Sequence, residues 1–484
     1  MKFIDKHHLL ILFSIPVISL ALHFHVFKLD LIGYHVWRQT ETQTVINNFY
    51  REDFNILNPR INEHPETNRL HRMEFPVMQW VYALFYKLFG PHIVITRVLT
   101  FIMGLFSVFG MFYLCKRVFK NNAIATICAW CFNFSPVFYY YTINPLPDNL
   151  ALCSGIWCLG FFYAYLNTGK TKYVVWSALF LCLATMAKLP FILYGTFIFA
   201  FVLVSLKRKT YTPGQLAKPV LIYAAGIIPA LAWYLYVIPG WVIGAVYGVF
   251  NQKLNHPDLQ YVLERTIISI LPELLINYAS LLFFLCSFYF LFKCKIYKKQ
   301  YFFPFLFLGI TLIVYFLYEM NIIDVVHDYY LFPFLPLIFL LVAYGAFRLL
   351  TSESKPLKIV SMICLAILPI TAFLRADPRW DIYHPEFNPT YYKYKDELRN
   401  LTPKDATCVI GYDESHYILL YYIDRKGWAF DKSWFDEKLL ENFISEGADY
   451  IFLDENIDSL PGIKAHLGEK IFDKETVRVY KLKK

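Results

Sequence analysis

Residues 92–114 read HIVITRVLTFIMGLFSVFGMFYL. A helix needs about 20 apolar residues to cross the hydrocarbon core of a bilayer, and this run supplies them. Further stretches of the same kind lie at 9–27, 123–141, 149–166, 173–187, 190–206, 219–239, 272–292, 302–319, 329–350 and 357–374. The stretch at 173–187 is short and runs into the next through Lys188-Leu189-Pro190. No small-residue cleavage site follows the first, so it reads as a span and not a signal peptide.

The whole chain carries the same signature. Of its 484 residues 57% are hydrophobic, 19% aromatic and 17% charged, with a mean hydropathy of +0.41. Ordinary soluble proteins are about 25% charged, so this chain has too little polar surface to cover itself in water. A soluble enzyme, a disordered chain and a collagen-like fibre are excluded. Ten cysteines sit mostly within apolar runs, so no disulfide scaffold is visible. The Cys128-Ala129-Trp130-Cys131 spacing lies in such a run, with no histidine or second pair beside it, and reads as small buried residues.

Charge is divided unevenly. From Arg375 to Lys484 there are 17 Lys and Arg against 21 Asp and Glu; the first 374 residues hold 29 against 16. The division predicts a membrane domain over 1–374 and a soluble domain over 375–484. The basic excess is a topology signal and not a nucleic-acid footprint. With the N-terminus in the cytoplasm, segments 1–8, 115–122, 167–172, 207–218, 293–301 and 348–358 gather 18 basic residues, while 142–148 and 320–328 carry none. Eleven spans then place the tail outside. The expected location is the inner (cytoplasmic) membrane.

Two external segments exceed a simple connector. The first loop, 29–91, contains two amphipathic stretches, 36–53 and 75–89, that read as helices at the membrane interface. The second, 240–271, reads as a gate or lid. The tail alternates strand and helix signals, with strands at 407–411, 450–453 and 476–481 and a helix at 438–446 ended by Gly447. The fold class is therefore a polytopic α-helical membrane protein with a small C-terminal α/β domain.

Of the 16 acidic residues before position 375, only Asp5 and Glu353 fall on the Lys-rich side. Carboxylates near hydrocarbon are costly, so their clustering on the other side suggests a polar cavity opening there. Four motifs lie on that side: Trp37-Arg38-Gln39-Thr40-Glu41-Thr42, Met73-Glu74-Phe75-Pro76, Asn144-Pro145-Leu146-Pro147-Asp148-Asn149 and His327-Asp328-Tyr329-Tyr330. Lys188 adds a cation. Each has a plain structural reading beside the functional one. Asp148-Asn149 suits a helix cap, the two tyrosines suit an aromatic belt, Lys188 can snorkel to headgroups, Glu74 can be a solvated helix start, and Arg38 with Glu41 can be a surface ion pair.

In this order and on this side, the motifs resemble the GT-C glycosyltransferases. They are similar in particular to bacterial relatives of the dolichyl-phosphate-mannose protein mannosyltransferases and of the lipid A aminoarabinose transferase. Ala187-Lys188-Leu189-Pro190 fits the same pattern, and the resemblance covers roughly residues 30–350. It implies a GT-C-like fold of about 11 transmembrane helices. It also implies transfer of a monosaccharide from a polyprenyl-phosphate donor to a lipid, glycan or protein acceptor outside the cytoplasm, by one inverting displacement.

By the same resemblance Glu41 is the expected base and Asp148 a second carboxylate that orients the acceptor or binds a divalent cation. Arg38, Lys188, His327 and Tyr329 are candidates for the donor phosphate, with Glu74, Asp328 and Tyr330 as further site candidates. Two positions depart from the pattern: the family usually has Asp where this chain has Glu41, and the aminoarabinose relatives have Lys where it has Glu74. A transporter or lipid-linked glycan flippase is the alternative from another class. It fits less well because no internal repeat is visible and the charges cluster at span ends. A polysaccharide polymerase or ligase differs only in donor size.

Overall fold

The computed structural model describes residues 2–63, 65, 68–241, 256–299, 302–323, 327–431, 435–454 and 462–484. Most of the segment read as a lid (242–255), and the loop acids Glu66 and Asp324, lie outside these. All eleven apolar stretches are helical. Among the described residues, seven helices are long and apolar enough to cross a membrane: Ile93–Phe119, Pro147–Thr168, Leu189–Lys207, Pro213–Gly240, Phe302–Met320, Asp328–Leu350 and Lys355–Trp380.

The other four stretches depart from a straight span. Leu259–Leu275 and Tyr278–Lys293 form a pair bent by 110°, an eighth span if counted as one. At the bend Asn277 takes a φ of 73° and its side chain caps the second helix by accepting from Ala279 N–H. His8–His23 and Thr171–Ala187 are shorter apolar helices. The stretch at 123–141 breaks into Asn122–Asn133 and Pro136–Tyr141. Pro136 has no N–H and disfavours helical backbone at Ser135, so the helix restarts there. Hydropathy counts eleven because it is blind to such breaks.

The chain forms two compact units. The first holds Met1–Phe27, Met73–Phe75 and Thr96–Asp377; the second holds Lys28–Arg72, Pro76–Ile95 and Pro378–Lys484. In the first, helices approach closely where residues are small. A Cβ at Gly345 would overlap the carbonyl of Phe283, so Leu335–Leu350 and Tyr278–Lys293 meet backbone to backbone there.

In the second unit the long first loop and the tail share one core. Its sheet has strands β1 (Thr407–Gly411), β2 (Lys426–Phe430), β3 (Tyr450–Asp454), β4 (Leu467–Lys474) and β5 (Val477–Leu482), in the order β2-β1-β3-β5-β4. β1 pairs in parallel with β2 and β3; β5 pairs antiparallel with β3 and β4. Alternation along the strands separates two faces. Cys408, Ile410 and Phe452 pack with Leu31, Val36 and the helix Ile418–Ile423. Val409, Ile451 and Leu453 pack against the helix Glu437–Ser445. Strands β2 and β4 carry no clear sequence signal: Gly427 interrupts one, and the other, LGEKIFDK, is half charged.

Helix Val36–Arg51 matches the first amphipathic stretch but does not lie open along one face. Its polar run from Arg38 to Thr44 is buried, as are Val45, Ile46 and Phe49. Helix Val77–Phe89 and the tail helix Ile418–Ile423 pack on it. Asp30, just before it, accepts from Lys395 Nζ at 2.7 Å and from the Tyr421 hydroxyl at 2.5 Å.

Candidate active site

In the first unit Lys188 occupies a break between helices. Thr171–Ala187 ends at Lys188, whose backbone is extended (φ −159°, ψ 117°), and Pro190 follows in a 3₁₀ turn. Its Nζ lies 2.8 Å from Glu74 Oε1 and 3.9 Å from Asp148 Oδ1. It also stands over the Tyr330 ring at 4.9 Å. The side chains of Lys188 and Glu74 are 12% exposed and that of Asp148 2%, so the attraction acts where water screens it little.

Each partner of Lys188 is held by its neighbours. Glu74 is fixed from both sides: Phe75 N–H donates to the Met186 carbonyl at 3.0 Å, and Trp233 Nε1 donates to the Met73 carbonyl at 3.0 Å. Asp148 sits in the first turn of Pro147–Thr168, and the turn before it is pinned by side-chain amides. Asn149 Nδ2 donates to the carbonyls of Tyr141 (3.0 Å) and Asn144 (2.8 Å), and Arg97 Nη1 donates to Asn144 Oδ1 at 2.8 Å. Pro147 opens the helix where its missing N–H costs nothing.

The last motif of this unit packs on the same turn. Asp328 is buried and accepts from the Tyr141 hydroxyl at 2.7 Å. The Tyr141 ring stands edge-on to buried Tyr329 at 5.7 Å. His327 lies beside Tyr329 and Tyr330, with ring centroids at 5.8 and 5.5 Å. Glu74, Asp148, Lys188 and Tyr330 thus form one cluster, with Asp328 and Tyr329 linked through Tyr141.

Arg38 and Glu41 belong to the second unit. They are one helical turn apart, and Arg38 Nη1 reaches Glu41 Oε2 at 2.5 Å with both side chains under 10% exposed. The other oxygen, Oε1, meets His71 Nε2 at 2.9 Å. His71 is anchored by its own N–H, which donates to the Pro59 carbonyl at 2.8 Å. Tyr417, from the tail, stands edge-on to His71 at 6.1 Å and stacks near Trp37 at 6.5 Å. Burial, then the negative charges of Glu41 and Glu63, push the Tyr417 hydroxyl well above its usual range, so it stays a neutral donor. The next residue back, His416, bonds to Glu63.

His71 and Tyr417 were not among the residues singled out from the sequence. His71 stands three residues before Glu74, inside a charged stretch, and that placement was its only signal. Tyr417 has none, since only the fold brings it to the first loop.

Residues 64–233 match the family model described as dolichyl-phosphate-mannose-protein mannosyltransferase. No curated protein sequence matches the chain. Among solved structures, the chain is similar to ArnT from Cupriavidus metallidurans bound to undecaprenyl phosphate, with a TM-score of 0.67 at 12% identity over 97% of each chain. It is also similar to the oligosaccharyltransferase of Archaeoglobus fulgidus in complex with Zn and sulfate, with a TM-score of 0.59 at 13% identity, over 95% of this chain and 71% of that one.

The chain has the GT-C fold.

It is a multi-pass membrane protein of this glycosyltransferase fold with a small C-terminal sheet domain. A further GT-C neighbour, the arabinofuranosyltransferase AftD from Mycobacteria, matches with a TM-score of 0.57 at 10% identity, over 41% of its length. The carboxylates expected to hold a divalent cation fit one poorly. Glu41 is bonded to Arg38 and His71, and Asp148 faces Lys188, so each already has a protein cation or donor in place.

Proposed function

We propose that this protein takes a monosaccharide from a polyprenyl-phosphate carrier and transfers it to an acceptor outside the cytoplasm. Lys188 carries the reading: it is a shielded cation at a non-helical junction of the membrane unit, with Glu74, Asp148 and Tyr330 around it. A departing lipid phosphate needs positive charge where its anion develops, most of all where water is scarce. The ArnT neighbour solved with undecaprenyl phosphate supports a lipid phosphate as the ligand. The matched segment 64–233 contains His71, Glu74, Asp148 and Lys188 and supports the same reaction class.

In this reading the acceptor oxygen attacks the anomeric carbon from the face opposite the phosphate. The bond from carbon to phosphate oxygen breaks, its electron pair stays on the phosphate, and the configuration inverts. The acceptor proton passes to the Glu41–His71 pair, a general-base contribution of about 10²–10⁴-fold. Arg38 fixes the Glu41 carboxylate through Oε2 and adds positive charge there. Lys188, His327 and Tyr329 receive the donor phosphate, with Tyr330 behind Lys188. Asp148 orients the acceptor, and Asp328 holds Tyr141 against Tyr329. The N-terminus lies in the cytoplasm, the tail outside, and the membrane is the inner one.

The test uses protein reconstituted in lipid, a panel of polyprenyl-phosphate monosaccharides and an envelope extract as acceptor source. Wild type is expected to release free polyprenyl phosphate, and Glu41→Gln and Asp148→Asn to lose that release. If wild type releases none while labelled lipid crosses the bilayer, the protein is a transporter and the reading is lost.

A further inference from the structure

Helices Tyr278–Lys293 and Phe302–Ile323 are joined by a short basic segment yet pack on different neighbours. The first lies on Leu335–Leu350 and the second on Tyr194–Lys207. A cleft of about 490 Å³ remains between them, floored by Leu335–Leu350. Its walls include Phe284, Phe288, Phe292, Phe305, Leu341 and Tyr344, and almost nothing polar faces it. Within a bilayer such a cleft is filled by hydrocarbon, because water gains no partner there.

The cleft ends at a cluster of cations. Arg348 lies four residues beyond Tyr344 and seven beyond Leu341, which places it on the same helix face one turn past the lining. Its guanidinium stands over the Phe290 ring at 5.3 Å. Its Nε is buried with no hydrogen-bond partner among the described residues, and so is the hydroxyl of Ser352, one turn further on. Buried donors of this kind call for an acceptor. Lys293 ends the first cleft helix, and Lys295, Lys298 and Lys299 lie in the segment joining the two; none of the four has a carboxylate partner among the described residues.

We propose that this cleft is a binding site for an anionic glycerophospholipid of the bilayer. An acyl chain lies along the aromatic wall, and the phosphate accepts from Arg348 Nε and the Ser352 hydroxyl beneath the lysines. Hydrocarbon alone explains the walls but not the orphaned donors. A phosphate diester with two chains explains both. The site is separate from the Lys188 cluster and does not depend on the transfer reaction.

Native mass spectrometry tests it on the full chain, exchanged from vesicles of phosphatidylcholine alone or of phosphatidylcholine with phosphatidylglycerol. Basic residues at an anionic surface contribute about 1 kcal/mol each, roughly fivefold. Wild type should therefore retain phosphatidylglycerol over phosphatidylcholine by at least about tenfold. The triple variant Arg348→Gln, Lys298→Gln, Lys299→Gln should lose that preference.

Gly309 lines the cleft, and a Cβ there would meet only Leu337 Cδ1, at 3.8 Å. Gly309→Leu should keep its helical circular dichroism and lose bound lipid of both kinds. Equal retention of the two lipids by wild type, unchanged retention in Gly309→Leu, or polyprenyl phosphate as the retained species would each overturn the proposal.

Discussion

Lys188 Nζ and Glu74 Oε1 lie 2.8 Å apart across 114 residues of chain. The contact joins the end of an apolar helix to a three-residue insertion from the first loop, and under the proposed function it sets the charge that a donor phosphate would meet. Removing Glu74's charge frees the ammonium. Glu74→Gln is expected to lower the donor KM several-fold, while Lys188→Met raises it and cuts kcat by about 10²-fold. Steady-state release of polyprenyl phosphate reads both. A higher donor KM in Glu74→Gln would show that Lys188 does not bind the phosphate.

His71 and Arg38 hold opposite oxygens of Glu41, so they are expected to fail differently. His71→Ala should reduce kcat by about 10²-fold with little change in donor KM, the signature of a lost proton route. His71→Gln keeps a donor at Glu41 without a proton carrier and should rescue folding but not kcat. Should His71→Gln match wild type, His71 only positions Glu41.

Asp30 makes the second unit sensitive to acid. Burial raises its carboxyl, but Lys395, Arg399 and the Tyr421 hydroxyl overcome that and hold it below the ordinary carboxylate range. A carboxyl lowered in the folded state stabilises above its unfolded pKa, about 3.9, and that stability fades as pH falls through the lower folded value. Protection against hydrogen exchange in peptides covering 418–423, taken relative to the intrinsic rate at each pH, should therefore be steady from about pH 6 to 5 and fall below about pH 4. Asp30→Asn should exchange faster throughout, by an opening cost of about 3 kcal/mol, and show a flatter pH dependence.

Gly345 tests the helix crossing of the membrane unit. A side chain there meets the backbone of Phe283 and not a flexible group that can move aside. Gly345→Ala should lower the thermal midpoint in detergent, by the equivalent of about 1–3 kcal/mol or more. An unchanged midpoint would mean that the two helices separate at little cost.

Much of this was legible from the residues. The apolar stretches are helices because twenty apolar residues in a bilayer have no other way to satisfy their backbone. Strands β1, β3 and β5 follow from β-branched and aromatic alternation. The helix read at 438–446 follows from Gly447, which ends it at a φ of 105°; the structure adds an Asp436 cap that accepts from Leu439 N–H. Arg38 and Glu41 were readable as a pair because i and i+3 meet on any helix. The grouping of Glu74 with Lys188 was not, because neither residue carries a signal of what lies opposite it.

The sequence by itself determined the solvent of each segment, the GT-C resemblance and the residue types available for chemistry, since hydropathy, charge and local spacing act over a few turns of chain. Only the tertiary structure decided which charges meet. It seated Lys188 between Glu74 and Asp148, gave Glu41 a second partner in His71, and brought Tyr417 from the tail beside that pair. A buried charge takes whatever partner packing delivers, and packing is a property of the whole chain.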